Sequence, residues 1–173
     1  MLSVICGTNR PDSNSEKVAR NYCSILQEKG VGSVILKLED LPNDFAFNAM
    51  FGKRLQAVDE AIDKHIRPFD KLVFILPEYH GSYPGVLKTF LDCMGQSDLE
   101  GKKAALVGLS DGMAGNLRGL DDLTNVLNFL KVDVLSRKPK LSRVSSSLNE
   151  GGAITDERCL RLLNEQIDYF LEF

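Results

Sequence analysis

Residues 72–85 read LVFILPEYHGSYPG, and this stretch decides the fold. Its first five residues are apolar at every position, which indicates a strand buried on both faces and therefore central in a parallel sheet. Two tyrosines and a histidine follow directly, and Pro84 stands where a proline of a first helical turn belongs. Apolar residues then recur at helical spacing, at Val86, Leu87, Phe90, Leu91 and Met94. The stretch predicts a strand, a polar turn and a helix in succession.

The same unit recurs on both sides of this stretch. Residues 2–6 form a short apolar run, and the helix after it is expected to start with a capping box of Ser13 and Glu16 and to stop at Gly30. Further strands are predicted at 34–38, 104–109 and 132–135, and further helices at 55–66, at 117–130 and from Thr155 or Asp156 to Phe170. Five strands alternating with five helices require parallel pairing and right-handed crossovers. The sequence thus predicts a three-layer α/β sandwich, and without a Pro-, Gly- or Ser-rich linker we expect one domain over residues 1–173.

Composition excludes several classes of function. The 173 residues carry 21 Lys+Arg against 24 Asp+Glu, a net charge of −3, and the signs alternate along the chain, which argues against a nucleic-acid partner. Apolar stretches reach only about six residues where a membrane span needs roughly 20, so no membrane contact is expected. Residues 1–6 have no basic flank or cleavage site, and we expect a cytoplasmic location. The four cysteines form no CxxC and only two histidines are present, so neither a disulfide framework nor a metal site is predicted.

Two segments are longer than a simple connection requires, residues 39–52 and 136–153. Long loops in compact domains are often functional or lie at subunit contacts. The first segment carries four large apolar side chains whose exposure to water would be unfavourable: Phe45, Phe47, Met50 and Phe51. This set predicts a contact between copies of the chain, and the alternative is that these side chains fold back on their own domain.

Ligands of an open parallel sheet bind beyond the carboxyl ends of its strands. This rule selects three loops, residues 7–15, 77–84 and 108–116. The first runs into a helix N-terminus, which favours an anion, and it is rich in hydroxyls and amides. Because it lacks GxxxxGK[ST] and GxGxxG, a monophosphate suits it better than a triphosphate or a dinucleotide. The alternative is a Ser/Asn-rich cap that binds nothing.

The other two loops suit a flat heterocycle. The tyrosines and small residues of the 77–84 loop offer aromatic faces and backbone amides, although tyrosines near prolines often only pack a turn. Glycines in the 108–116 loop allow a ligand close to the backbone, although an Asp-Gly turn explains them as well. Each loop is weak evidence by itself. Their position on one edge of one predicted sheet is what indicates a ligand site.

Three motifs carry a family resemblance along nearly the whole chain. They are Gly7-Thr8-x-Arg10-x-x-Ser13-x-Ser15, then Pro77-Glu78-Tyr79-His80-Gly81-Ser82 followed by Pro84-Gly85-x-Leu87-Lys88, and Ser110-x-Gly112-x-x-Gly115. In this order they resemble the phosphate loop, the P-E-Y-N-x-S-x-P-x-x-L-K segment and the flavin loop of the NAD(P)H-dependent FMN reductases. These are flavodoxin-like flavoproteins related to quinone, chromate and azo-dye reductases. The middle motif is the most specific.

The resemblance implies a flavodoxin-like sandwich with strand order 2-1-3-4-5, bound FMN, NAD(P)H as co-substrate, and a small-molecule electron acceptor served by a ping-pong reaction. It also implies a homodimer or homotetramer. The residues carried over to the FMN phosphate are Thr8, Arg10, Ser13, Asn14 and Ser15. Those carried over to the ring are Pro77, Glu78, Tyr79, His80 and Gly81 on one side, and Ser110, Gly112 and Gly115 on the other. Since the flavin performs the chemistry, no catalytic side chain is nominated.

Three positions depart from the family pattern. Ser15 and His80 both stand where Asn is usual, and Asn116 stands where many members have a second glycine. Ser15 is an acceptable donor in place of Asn. The imidazole of His80 is expected to point to solvent, and the alternative is that it donates a hydrogen bond to the flavin ring.

Other functions remain open from sequence alone. An electron-carrying flavodoxin is one, although its usual T-x-T-G-x-T loop and strongly acidic surface are missing. An NAD-dependent dehydrogenase is another, with Glu39 or Asp40 on a ribose. A structural or regulatory protein that has lost its flavin is the third. Cys6 and Cys93 lie in apolar patterns without a base nearby, so inert thiols are expected there.

Overall fold

One parallel sheet organises the chain, of which the computed structural model describes residues 1–50 and 55–173. Its strands are β1 (Leu2–Cys6), β2 (Ser33–Lys37), β3 (Lys71–Pro77), β4 (Lys103–Leu109), β5 (Asp133–Val134) and β6 (Lys140–Leu141). Their order is β2-β1-β3-β4-β5, with β6 also paired to β4. The expected order is confirmed, and the fully apolar strand β3 is central.

Helices cover both faces of this sheet. They are α1 (Asn14–Glu28), the single turn α2 (Phe45–Asn48), α3 (Gln56–His65), α4 (Gly85–Asp92), α5 (Leu117–Phe129) and α6 (Glu157–Glu172). Residues of α1 and α6 form one core with Val73 and Ile75, while residues of α3, α4 and α5 form the other with Phe74 and Leu76. Since β3 sends alternate side chains into two cores, each of its positions must be apolar. The three-layer sandwich is confirmed.

The helix termini follow the sequence signals with small differences. Ser13 caps α1 by accepting a hydrogen bond from the N–H of Glu16. The Glu16 carboxylate pairs with Arg20 at 2.6 Å, so the predicted capping box is only half formed. Pro84 lies one residue before α4 and not in its first turn, and Asp156 caps α6. Among the described residues, no helix is both long and apolar enough to cross a bilayer.

The outer edge of β4 carries an interrupted strand, where the sequence predicts a single strand over 132–135. β5 pairs with residues 103–104 of β4, and β6 pairs with residues 108–109. The prediction therefore found the first half of this edge and missed the second. The intervening residues 136–139 read SRKP, and their polar side chains and proline end the apolar pattern that marks a strand.

A side chain of α6 bridges the gap in this edge. Gln166 is fully buried, and its Nε2 donates to the carbonyl of Leu106 at 2.9 Å and to that of Arg137 at 2.8 Å. Its Oε1 accepts from the hydroxyl of Tyr22 at 3.3 Å. The amide thus supplies the donor that an uninterrupted neighbouring strand would give to the middle of β4.

The 39–52 segment divides between core and solvent. Phe45 is buried in the core beside α4, and Met50 is half-buried. Phe47, in contrast, is 85% exposed. Phe51, the fourth apolar residue of the predicted contact, lies outside the described residues. The alternative of folding back therefore holds for Phe45 and not for Phe47.

Candidate cofactor site

The three selected loops meet at the carboxyl edge of the sheet around a cavity of about 810 Å³. This volume is within the range of small-molecule and cofactor sites. The predicted site residues in its wall are Arg10, Ser13, Asn14, Ser15, Pro77, Glu78, Tyr79, His80, Gly81, Ser110 and Gly112. Thr8 and Gly115 are the two predicted residues that lie behind the wall.

Both residues behind the wall shape it. The Thr8 hydroxyl is buried and lies 2.9 Å from the hydroxyl of Tyr79, which joins the first loop to the second. Gly115 has a φ of +57°, and its N–H donates to the Ser110 hydroxyl at 2.9 Å. A Cβ at Gly115 would lie 2.7 Å from the Cβ of Lys140, so this close approach requires glycine.

One end of the cavity has the chemistry of an anion site. It contains the first turn of α1, whose leading N–H groups have no partner within the helix, and Arg10 lies on its rim. The hydroxyl of Ser15 is buried and has no hydrogen-bond partner among the described residues. A buried hydroxyl without a hydrogen-bond partner lowers the stability of the fold, and a bound phosphate oxygen would accept the missing hydrogen bond. The residues present at this end fit a phosphate.

Sequence reasoning missed a fourth segment of the wall, Val144 and Ser145. The Ser145 hydroxyl accepts from the Asn14 amide at 2.9 Å, and the Ser145 N–H donates to the Asp111 carboxylate at 3.0 Å. The bonds from Ser145 and the charge of Arg10 hold the pKa of Asp111 below its usual value. Only the length of the 136–153 segment hinted at this role.

A tight turn sets the shape of the second loop. Tyr79 and Ser82 exchange two backbone hydrogen bonds, of 2.9 Å and 3.2 Å. Between them His80 and Gly81 both have positive φ, +52° and +80°, which is a type I′ turn. Asn-Gly is preferred there, so the family's usual Asn at this position has a conformational reason. His80 accepts the same conformation with an exposed side chain.

Asn116 ties the third loop to the second. It is fully buried with a φ of +62°, a conformation in which glycine or Asn is expected. Its side-chain amide donates to the carbonyls of Leu76 and Pro77 at 3.1 Å and 3.0 Å. Its own N–H donates to the Glu78 carboxylate at 3.1 Å. Asn116 thus meets the demand of a glycine position, and its side chain adds two bonds across the site that a glycine could not make.

Neither Cys6 nor Cys93 is suited to act as a nucleophile in this cavity. Burial raises the pKa of the Cys6 thiol and of the Cys93 thiol, which keeps both protonated at neutral pH. Within the described residues, no group of three His, Cys, Asp or Glu side chains is arranged to hold a metal ion. The wall offers hydroxyls, backbone amides, Tyr79 and the Arg10 charge, which suit binding and orientation.

The family described as NADPH-dependent FMN reductase matches residues 1–142. The chain belongs to this family. It is therefore an oxidoreductase that uses FMN as cofactor and NAD(P)H as co-substrate. The resemblance that the three motifs carry is confirmed.

Individual relatives agree with this assignment. A 2-hydroxy-1,4-benzoquinone reductase from a Burkholderia species is 28% identical over 181 residues, covering 98% of this chain and 93% of that protein. The structure of FerB, a flavoenzyme NAD(P)H:(acceptor) oxidoreductase from Paracoccus denitrificans, superposes with a TM-score of 0.78 at 26% identity and covers 99% of this chain and 94% of its own. The flavodoxin of Megasphaera elsdenii has a TM-score of 0.60 at 15% identity, covering 97% and 99% of the two chains. That likeness concerns the fold, and the flavodoxin-like sandwich is confirmed.

Proposed function

We propose that this FMN reductase binds its cofactor in the 810 Å³ cavity and reduces a quinone, a flavin or a similar small acceptor by a ping-pong reaction. The observation that carries the proposal is the buried hydroxyl of Ser15, which lacks a partner in the wall of a cavity at a helix N-terminus. FMN, when bound, accepts a hydride from NAD(P)H and passes electrons to the acceptor. The cytoplasm is the compartment we propose, since the four thiols form no disulfide.

The chain's own residues divide the binding between two ends of the cavity. At the phosphate end, Arg10 supplies charge, while Ser15 and the first N–H groups of α1 supply donors. Ser13 contributes indirectly, because its hydroxyl already caps the helix. At the other end, the two hydrogen bonds of the turn are formed by the N–H groups of Tyr79 and Ser82. The N–H groups of His80 and Gly81 are therefore available to donate to polar atoms at the edge of a flavin ring.

One open cavity over the proposed flavin site favours alternating use by the two substrates. Since the flavin supplies the redox chemistry, the wall has to bind and orient the acceptor, which can occupy the place that the nicotinamide has left. Quinones and flavins are flat and fit this requirement. The Burkholderia relative is named for a benzoquinone, which supports a quinone as acceptor.

The visible spectrum of the purified protein tests this proposal. We expect a yellow protein, or one that takes up FMN stoichiometrically, whose absorbance near the flavin band is bleached under anaerobic conditions by NADPH or NADH. Adding a benzoquinone should restore the colour. A protein that takes up FMN but is reduced by neither nicotinamide would be an electron carrier, and one that takes up no FMN would contradict the assigned cavity.

A further inference from the structure

The gap between β5 and β6 opens a second cavity of about 240 Å³. Its wall is formed by residues 137–139 of the gap, by Lys140 of β6 and Ser142 just after it, by Met113 and Ala114 of the third loop, and by Arg158 and Leu162 of α6. We call this cavity the edge pocket. Gly112 lines the first cavity and Met113 lines the edge pocket, so consecutive residues of one loop separate the two.

Positive charge is concentrated around the edge pocket. Four cationic side chains line it, those of Arg137, Lys138, Lys140 and Arg158. Arg137 pairs with Glu165 at 2.6 Å and stacks on Tyr169. Within residues 1–50 and 55–173, the other three cations form no ion pair with an acidic side chain. In a chain with a net charge of −3, this local excess favours an anionic ligand.

The size and the apolar part of the edge pocket restrict what that anion can be. Its volume is below that of most sites for whole cofactors, so it fits one anionic group with a few attached carbon atoms. Met113, Pro139 and Leu162 supply the apolar contacts. Met113 is 81% exposed and stands between the two cavities, where a ligand extending from one to the other would cover it.

We propose that the edge pocket binds a phosphate monoester group, namely the 2′-phosphate of NADPH when NADPH is the electron donor. This inference rests on the proposed function, because it assumes a nicotinamide in the neighbouring cavity. Gly112 and Met113, consecutive in the chain, line the two cavities, so a dinucleotide held in the first would extend past Met113 to bring its ribose phosphate among Lys138, Lys140 and Arg158. Lys and Arg together suit a phosphate dianion as charge and as hydrogen-bond donors.

The test compares two double variants of the FMN-loaded protein. In Lys138→Gln/Lys140→Gln we expect the KM for NADPH and the Kd for NADP⁺ by calorimetry to rise about tenfold or more, since charge-assisted contacts to phosphate are lost. The KM for NADH and the affinity for FMN should stay unchanged. The matched control is Lys64→Gln/Lys131→Gln, which makes the same charge change at two exposed lysines outside both cavities and should alter none of these values. Lys131 pairs with Glu100 at the surface, and such a pair contributes little to stability.

A titration with inorganic phosphate distinguishes the source of the group. If only phosphate binding is lost in the pocket variant and the NADPH values are unchanged, the edge pocket binds a separate phosphate compound. If the pocket variant matches the control for NADPH, NADP⁺ and phosphate, the edge pocket is not a phosphate site. This failure is distinct from that of the proposed function, because NADPH or NADH would still bleach the bound flavin.

Discussion

At the scale of single residues, Ser15 is more informative than the motif in which it lies. The motif has Ser15 where the family pattern that it resembles has Asn, which suggests only a change of donor. The structure adds that Ser15 is 1% exposed and that its buried hydroxyl has no hydrogen-bond partner among the described residues. A residue that lowers stability in the absence of ligand is expected where the ligand supplies the missing bond.

The variant Ser15→Ala should therefore separate stability from binding. We expect the free energy of unfolding of the FMN-free protein to stay the same or rise by up to about 1 kcal/mol, because an unsatisfied buried hydroxyl is removed. The Kd for FMN should rise about tenfold, or roughly 1.4 kcal/mol. Urea titrations of the FMN-free protein and fluorescence titrations with FMN measure the two effects.

Ser13→Ala is the matched control, since its hydroxyl caps α1 and lies in the same wall. It should lower the unfolding free energy of the FMN-free protein by about 1 kcal/mol. If Ser15→Ala also destabilises the FMN-free protein and leaves FMN affinity intact, the Ser15 hydroxyl has a structural role and the phosphate end is misplaced.

Local sequence predicts the residue types of the site better than their roles. The motifs identified His80 and Asn116 as departures from the family, but not that both occupy left-handed backbone positions. Such a conformation is imposed by bonds formed elsewhere, between Tyr79 and Ser82 for His80 and with Leu76 and Pro77 for Asn116. Ser145 has no motif at all, because its role depends on contact with Asn14, which is distant in sequence.

At the scale of secondary structure, the alternation of apolar runs and helical spacing placed the five long helices within a few residues and β1 to β4 within one, but it did not predict the single turn α2. At the edge beyond β4 only β5 was predicted, because it lies in the apolar run 132–135, whereas the two residues of β6 leave too short a pattern to recognise. The proline and charges of residues 136–139 indicate the interruption. That the strand resumes at Lys140 depends on pairing with residues 108–109, which no local pattern shows.

The interrupted edge should depend on the side chain that bridges it. Gln166→Leu keeps a similar volume but removes the donor to the carbonyls of Leu106 and Arg137, and it leaves the Tyr22 hydroxyl without its acceptor. We expect the free energy of unfolding to fall by about 1–3 kcal/mol or more, since the carbonyl of Leu106 remains buried and unsatisfied. Urea-induced unfolding followed by far-ultraviolet circular dichroism measures the change.

Asn164→Leu on the same helix is the control. Its amide donates to the carbonyl of Leu160 within α6 and bridges nothing, so its loss should cost much less. Equal losses for the two variants would show that Gln166 matters for helix α6 in general and not for the gap between β5 and β6.

At the scale of the whole molecule, net charge and sheet topology could be read from sequence, whereas the surface that contacts a second copy could not. The apolar residues of the 39–52 segment predict such a contact, yet among those that the structure describes only Phe47 is largely exposed to solvent. Phe47 belongs to the segment that leaves β2 at its carboxyl end, the edge of the sheet at which the cofactor cavity lies. Phe129 is 81% exposed, but it ends α5 at the opposite edge.

This geometry makes the predicted homo-oligomer testable by one pair of substitutions. Phe47→Asp should convert a dimer or tetramer to smaller species in sedimentation velocity at micromolar concentration, and Phe129→Asp should not. Burying one phenylalanine side chain contributes about 1.5–3 kcal/mol to association. A twofold interface contains the residue twice, so the substitution removes both contributions and should raise the dissociation constant at least about a hundredfold. Dissociation by Phe129→Asp alone would place the contact at the edge away from the cavity. A monomeric wild-type protein would show that Phe47 is exposed for some other reason and that the predicted assembly is wrong.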